Sequence, residues 1–237
     1  MGQVWAKSMQ QNSPIMEVRA FVDRLGASLP KEVDVAALGV KSKAPFQLMC
    51  AREALIWRTE ELARNACGAL ERNDFAAAAL LTRGVTESAG LVWKLMELLD
   101  ARKTYTPQEM NDHLMRALVG WKADPGDFPE AYNVVTLVGR MDKGIEGVLH
   151  TYGTLSEIAH PNWSGVLALY GKTDRENHVT SFGRALENAD RNRDMIANAL
   201  LGSLGAFEYA YNKISDALPI FLGELESLWS EPEGASQ

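Results

Sequence analysis

The chain has 237 residues, 46% of them hydrophobic and 23% charged, with a formal net charge of −7. These proportions suit a globular protein with a true core; they exclude a disordered chain, a collagen-like repeat and a disulfide scaffold. Residues 1–60 carry eight Lys/Arg against six Asp/Glu, whereas the stretch from Leu201 onward carries one Lys against six acids, which argues against a broad nucleic-acid footprint because phosphate neutralisation needs clustered cations.

At the N-terminus Lys7 is followed by Ser8, Gln10, Gln11, Asn12 and Ser13 rather than by an apolar run, so no signal peptide is expected. Pro14 to Gly26 predicts a first helix, with Ser13 as its cap, Pro14 at the first helical position and Ile15, Val18, Phe21, Val22 and Leu25 as its apolar stripe. Residues 27–44 read as a loop. A long helix follows from about Pro45 to Asn73, with Leu48, Leu55, Leu62 and Ala66 or Cys67 on one side. Cys50 and Cys67 both fall on it without a C-x-x-C partner and read as reduced thiols. Asp74 is expected to cap the next helix, Phe75 to about Arg102, with Leu81, Val85, Ser88, Val92, Leu95 and Leu99 as its apolar face and Ala76 to Ala79 allowing close approach. The short turn between these two helices makes them antiparallel neighbours. The apolar run Phe75 to Leu81 is far below the ~18 residues of a membrane span, and a cytoplasmic protein without membrane contact is the expectation.

Thr106-Pro107-Gln108-Glu109 has the spacing of a capping box and opens a helix ending near Gly120. After a loop at residues 123–127, helices are expected over Pro129 to Lys143 and from Gly144 or Glu146 to Ala159, where His160-Pro161-Asn162 ends the last. Val166 to Tyr170 and His178 to Phe182 read as two short strands joined by a polar connection. A final long helix follows Gly183, with breaks expected near Gly202, Gly205 and Pro219. The fold class expected is mainly α: a multi-helix bundle of long antiparallel helices with a small β-hairpin near residues 166–182. Residues 1–44 form an N-terminal helix and loop, 45–229 one helical bundle domain containing the hairpin, and 230–237 a flexible tail.

No nucleotide-binding glycine loop, nucleophile elbow or H-E-x-x-H motif is present, and Gly202-Ser203-Leu204-Gly205 reads as a packing notch. The polar residues around His160 are the leading candidate site. Tyr152, Ser156 and His160 are spaced i, i+4, i+8 and share a helical face, Glu157 lies one turn before His160, and Asn162 follows outside the helix. Carboxylate, imidazole, hydroxyl and amide could then meet at one helix end, where the dipole favours a protonated His. The alternative is that His160 and Asn162 cap the helix and dock the hairpin. Glu157-x-x-His160 is half of a di-iron pattern, but the chain has no second such unit, so no metal and no cofactor are expected. Arg83 and Glu87, at i and i+4, form a second feature within an Ala-rich helix that also carries Lys94. The periodicity puts them at the edge of the apolar stripe as a surface pair; buried, they would face His160 and merge the two features into one pocket. The tryptophans lie on separate elements and read as core or interface residues rather than a stacking platform.

The segments Leu81-Thr-Arg83-Gly-Val-Thr-Glu87-Ser-Ala and Tyr152-Gly-Thr-Leu-Ser-Glu157-Ile-Ala-His160-Pro-Asn162 resemble those of uncharacterised bacterial helical proteins similar to the HEPN superfamily and its abortive-infection relatives. The resemblance covers about residues 45–185. It implies an all-helical bundle, often a homodimer, with members in phage defence and toxin–antitoxin systems. The first function class is then a HEPN-like protein with activity directed at RNA or a nucleotide, in which the residues singled out above act as catalytic (Arg83, Glu87, Glu157 and His160) and binding (Tyr152, Ser156 and Asn162) groups. The Arg-x4–6-His motif of the RNA-cutting members does not carry over, because none of His113, His150, His160 and His178 has an Arg five to seven places before it. A second function class is a non-catalytic interaction or scaffold module in which the same residues fix the packing. A dimer is expected from the long helices and the spread of the tryptophans.

Overall fold

The computed structural model describes residues 13–34, 36–39, 41–123, 126–184, 186 and 188–230, the last five through their backbone. The expected tail beyond Ser230, Trp5, the Trp229 side chain and Asp124-Pro125 of the predicted loop lie outside the described residues. Eight helices and one hairpin follow in order: α1 (Pro14–Ala27), α2 (Ala44–Glu71), α3 (Phe75–Asp100), α4 (Pro107–Val119), α5 (Val134–Asp142), α6 (Val148–Ala159), α7 (Leu167–Tyr170), β1 (Gly171–Asp174), β2 (Val179–Phe182) and α8 (Ala189–Ser230). The fold is thus a mainly α multi-helix bundle with a small antiparallel hairpin, and no described helix is long and apolar enough to cross a membrane.

Helix α3 is the axis. It packs against α2, α4, α5, α6 and α8, and its buried residues run through Thr86, Ser88, Ala89, Gly90, Val92, Trp93, Lys94, Leu95 and Met96. Such a run covers every side of a helix, so from Val85 to Leu99 α3 is enclosed rather than half-buried as its apolar stripe suggests, while Ala77 and Leu80 near its start stay exposed. Small residues make this possible. A Cβ at Gly90 would stand 3.2 Å from Leu137 Cβ, and one at Gly144 would stand 2.5 Å from the Trp93 ring. α8 supplies the facing wall with Ile196, Leu200, Leu204, Phe207, Ala210 and Ile214.

Several element ends move from their expected places, each for a local reason. Thr106 and Glu109 form the full capping box, with Glu109 N donating to Thr106 Oγ1 at 3.3 Å and Thr106 N to Glu109 Oε2 at 2.8 Å. Ser13 and Asp74 occupy cap positions but make no side-chain cap bond; Asp74 pairs instead with Arg72 and Arg184. α5 starts at Val134 rather than Pro129. The backbone before it pairs with Trp121, whose N–H donates to Pro129 O at 2.9 Å and whose carbonyl accepts from Ala131 N at 3.1 Å, and Asn133 then caps Thr136 N at 3.1 Å. The expected strand at residues 166–170 is a helical turn, and β1 begins at Gly171; a short apolar run does not by itself distinguish helix from strand. The hairpin pairs Gly171 with Phe182 and Asp174 with Val179.

α8 runs for 42 residues through Gly202, Gly205 and Pro219 without the expected breaks. Its buried face against α3 outweighs the weak propensity of two glycines, and Pro219 lies on the exposed side. Those glycines are no packing notch either, since a Cβ on each would meet nothing within 4 Å. Cys50 and Cys67 are free thiols. Among the described tryptophans Trp93 is buried, Trp57 donates its Nε1–H to Pro30 O at 2.7 Å, and Trp121 and Trp163 are exposed.

The Gly144 contact sets a stability prediction. Gly144→Ala forces a methyl group against Trp93 and lowers stability by about 1–3 kcal/mol, the range for overpacking, as read by urea denaturation; an unchanged midpoint would show that the ring gives way freely.

Candidate functional site

α3 and α6 together position the first polar group. Tyr152 projects from the first turn and a half of α6 onto α3, where Arg83 and Glu87 stand one turn apart. The Tyr152 hydroxyl donates to Glu87 Oε1 at 3.0 Å, and the single Arg83 Nε–H is shared between Tyr152 Oη and Glu87 Oε1 at 3.1 Å each. The guanidinium carbon also lies 5.3 Å from the Tyr152 ring centre. Burial pushes the Tyr152 phenol above its ordinary pKa, Glu87 adds to the push, and Arg83 opposes it. The hydroxyl therefore keeps its proton and its role as donor. The expected surface pair is instead a partly buried interhelical triangle, and its third member is Tyr152, not His160.

The remaining candidates form a second group. Asn162 Nδ2 donates to Glu157 Oε2 at 2.6 Å, and Asn162 Oδ1 accepts from Gly165 N at 3.1 Å. These bonds fold the turn after α6. Ser156 spends its hydroxyl on Tyr152 O, one turn back on its own helix, at 2.9 Å. His160 ends α6 through its backbone, whose N–H donates to Ser156 O at 3.0 Å. Its exposed imidazole makes no hydrogen bond or ion pair with any described residue. Eight residues separate it from Tyr152, about 12 Å of helical rise, so the two groups do not merge into one pocket. Among the described residues no three His, Cys, Asp or Glu side chains are grouped to hold a metal ion.

Three other polar clusters are less visible in the sequence. Arg52 and Glu53 of α2 are buried against α8: Arg52 pairs with Glu53 and Ser215, its guanidinium lies 3.5 Å from the Tyr211 ring centre, and Tyr211 Oη donates to Glu53 Oε2 at 2.5 Å. Thr86 and Ser203 share a buried hydroxyl contact of 2.8 Å between α3 and α8, beneath a cleft of about 580 Å³ walled mainly by apolar side chains, with Glu146, His150 and Asn198 also lining it. Lys94 sits with His113, Arg116, Tyr132 and Arg140 where α3, α4 and α5 meet. The one sequence signal for the last was a lysine inside the apolar run Leu91-Val-Trp-Lys-Leu-Met. Comparison of the chain with family models, with curated proteins and with solved structures finds no match in any of the three.

Two measurements follow from the triangle. Tyr152→Phe removes the donor to Glu87 and costs about 0.5–1.5 kcal/mol in chemical denaturation; a neutral result would mean that water replaces the hydroxyl without penalty. Tyr132 is pushed up to about 12 by burial, and burial also raises Tyr152 and Tyr211. Above pH ~10 the unfolded chain loses phenolic protons that the folded chain retains, so stability present below that pH falls as pH rises toward 12. Absorbance of tyrosinate should rise in two stages, with the late stage coinciding with loss of helix; one early stage covering all six tyrosines would contradict it.

Proposed function

We propose that this chain is a non-catalytic helical interaction module that pairs with a second copy of itself. The observation that carries the reading is the closed triangle of Arg83, Glu87 and Tyr152, whose polar groups meet one another across α3 and α6. A catalytic acid or base must reach a reacting group and be oriented by a third residue. His160 has no such orienting partner among the described residues, and the triangle has the arrangement of a fastening between helices. The resemblance to HEPN-like bacterial proteins supports the same assembly, since it implies a helical bundle that is often dimeric, with members in phage defence and toxin–antitoxin systems.

The surface that supports self-pairing follows α6. Trp163 is 70% and Phe182 76% exposed, with Val166, Leu167 and Val179 also open. A two-stranded hairpin is marginal by itself in water. Its edges are templates for another strand, and the same hairpin on a second copy provides the self-complementary partner that a twofold interface needs. The hairpin's charges also balance, Lys172 and Arg175 against Asp174 and Glu176.

An enzyme directed at RNA or a nucleotide is the second reading. Its support is that the Arg83 and Glu87 side chains keep 31% and 25% of their surface exposed. Sedimentation equilibrium at micromolar concentration tests the first reading. The wild type is expected at twice the 26.1 kDa chain mass, and Phe182→Asp at one chain mass with unchanged helical circular dichroism. A wild type at one chain mass throughout rejects self-pairing. Incubation with RNA and nucleoside triphosphates tests the second reading. His160→Ala should leave the melt within ~0.5 kcal/mol, as for a surface position. Turnover by the wild type that vanishes in this variant would replace the scaffold reading with the enzymatic one.

A further inference from the structure

Among the described residues Lys94 is the one buried lysine, 7% exposed in the middle of α3. Its amine has no hydrogen bond or ion pair with any described residue, and Nζ lies 5.9 Å from the centre of the Tyr132 ring. The groups around it are mostly cations. Arg116 of α4 stands with its guanidinium carbon 4.5 Å from the same ring centre. Arg140 of α5 raises the positive potential at the amine further. The neighbouring carboxylate is Glu97, which accepts from Arg140 Nε at 2.6 Å. His113, on α4, bonds through Nδ1 to the Tyr132 hydroxyl at 2.8 Å, and burial, Lys94 and Arg116 all disfavour its charged form. Asp112 and Glu109 act on His113 from the outer side of α4.

Lys94 and Arg116 thus meet on one aromatic ring and Arg140 stands near the Lys94 amine, three cations from three helices, with the carboxylate of Glu97 already taken by Arg140. A buried charge without a counter-charge is expensive. Of the three, only Lys94 is buried as a residue; Arg116 is half-buried and donates Nε to Glu130 O at 2.9 Å, and the Arg140 side chain is 44% exposed, so this excess of positive charge opens to solvent, where an anion can reach it, on a protein whose net charge is −7. Fork-shaped guanidinium donors and an ammonium together match a tetrahedral oxyanion, which accepts several charge-assisted hydrogen bonds at once.

We propose that Lys94, Arg116 and Arg140 bind the phosphate group of a small ligand beside Tyr132, between α3, α4 and α5. The proposal is independent of the hairpin and of self-pairing. Burial and the two arginines lower the Lys94 pKa, with Glu97 opposing them, and a bound dianion would restore the charged amine.

Thermal melts and calorimetry of the full chain, in sodium phosphate against sodium chloride at equal ionic strength, test it. Phosphate at about ten times its Kd is expected to raise Tm by roughly 2–4 °C or more over chloride. Lys94→Met should weaken phosphate binding by at least about tenfold while melting in chloride no lower than the wild type, because it removes the unpaired charge. Arg116→Gln, at a half-buried position, provides the second variant and should weaken binding likewise. Adenosine monophosphate and glucose 6-phosphate as further probes separate a nucleotide source from a sugar phosphate, the tighter binder identifying it. Equal melts in the two salts with no heat of binding, or phosphate binding in both variants equal to that of the wild type, would overturn the site.

Discussion

Everything in this fold depends on the enclosure of α3. A helix buried on one stripe can be covered by one neighbour, but α3 presents buried side chains all round and needs five helices to cover it. Its sequence is suited to that position. Alanine, glycine and serine at Ala78, Ala79, Ser88, Ala89 and Gly90 let neighbours approach, and Val85, Val92, Leu95 and Leu99 fill the spaces between them. The length of α8 follows from the same demand, because it packs along α3 as the largest single contact of the bundle.

Enclosure also decides what happens to the polar residues of α3. A buried polar group has to find a partner, and on α3 the partners come from different helices. Thr86 meets Ser203 of α8, Glu97 meets Arg140 of α5, and Arg83 and Glu87 meet Tyr152 of α6. Each bond specifies the placement of one neighbour on the axis, a demand that apolar packing alone makes less sharply. The buried Arg52–Glu53–Tyr211–Ser215 network does the same between α2 and α8. The buried Thr82 hydroxyl and the Lys94 amine have no such partner among the described residues, and the unpaired amine gives its surroundings their chemical interest.

The surface shows the opposite tendency. The segment from His160 to Phe182 leaves α6 through a hydrogen-bonded turn, rises in the short α7 and returns as a hairpin whose residues are almost all exposed. Its backbone is ordered locally: Asp174 Oδ1 accepts from Glu176 N at 3.0 Å and Asn177 N at 3.1 Å, and His178 takes the left-handed conformation that closes the turn. Trp163, Val166, Val179 and Phe182 find no cover within the bundle, whereas Leu169 of α7 is buried in its core.

Local chemistry made much of the fold legible. The Pro14 start, the capping box at Thr106 and Glu109, the turn at Asn73 and the end of α6 before Pro161 depend on residues adjacent in the chain, so the sequence alone determined that this is a bundle of long helices with a hairpin before the last of them. What depended on distant residues was decided by tertiary structure. The break expected within α8 did not occur, because contact with α3 outweighs the weak helix preference of Gly202 and Gly205. The apolar run at residues 166–170 is a helical turn that continues the hydrogen-bonded turn after α6, with Val166 N donating to Asn162 O and Tyr170 N to Val166 O. The likeliest-looking cluster divided: Glu157 and Asn162 serve a turn, His160 faces outward, and Tyr152 joins Arg83 and Glu87 from 65 or more positions away. Helical spacing shows which side chains share a face, but burial and the choice of partner are set by which helices pack together, and that is a property of the whole core.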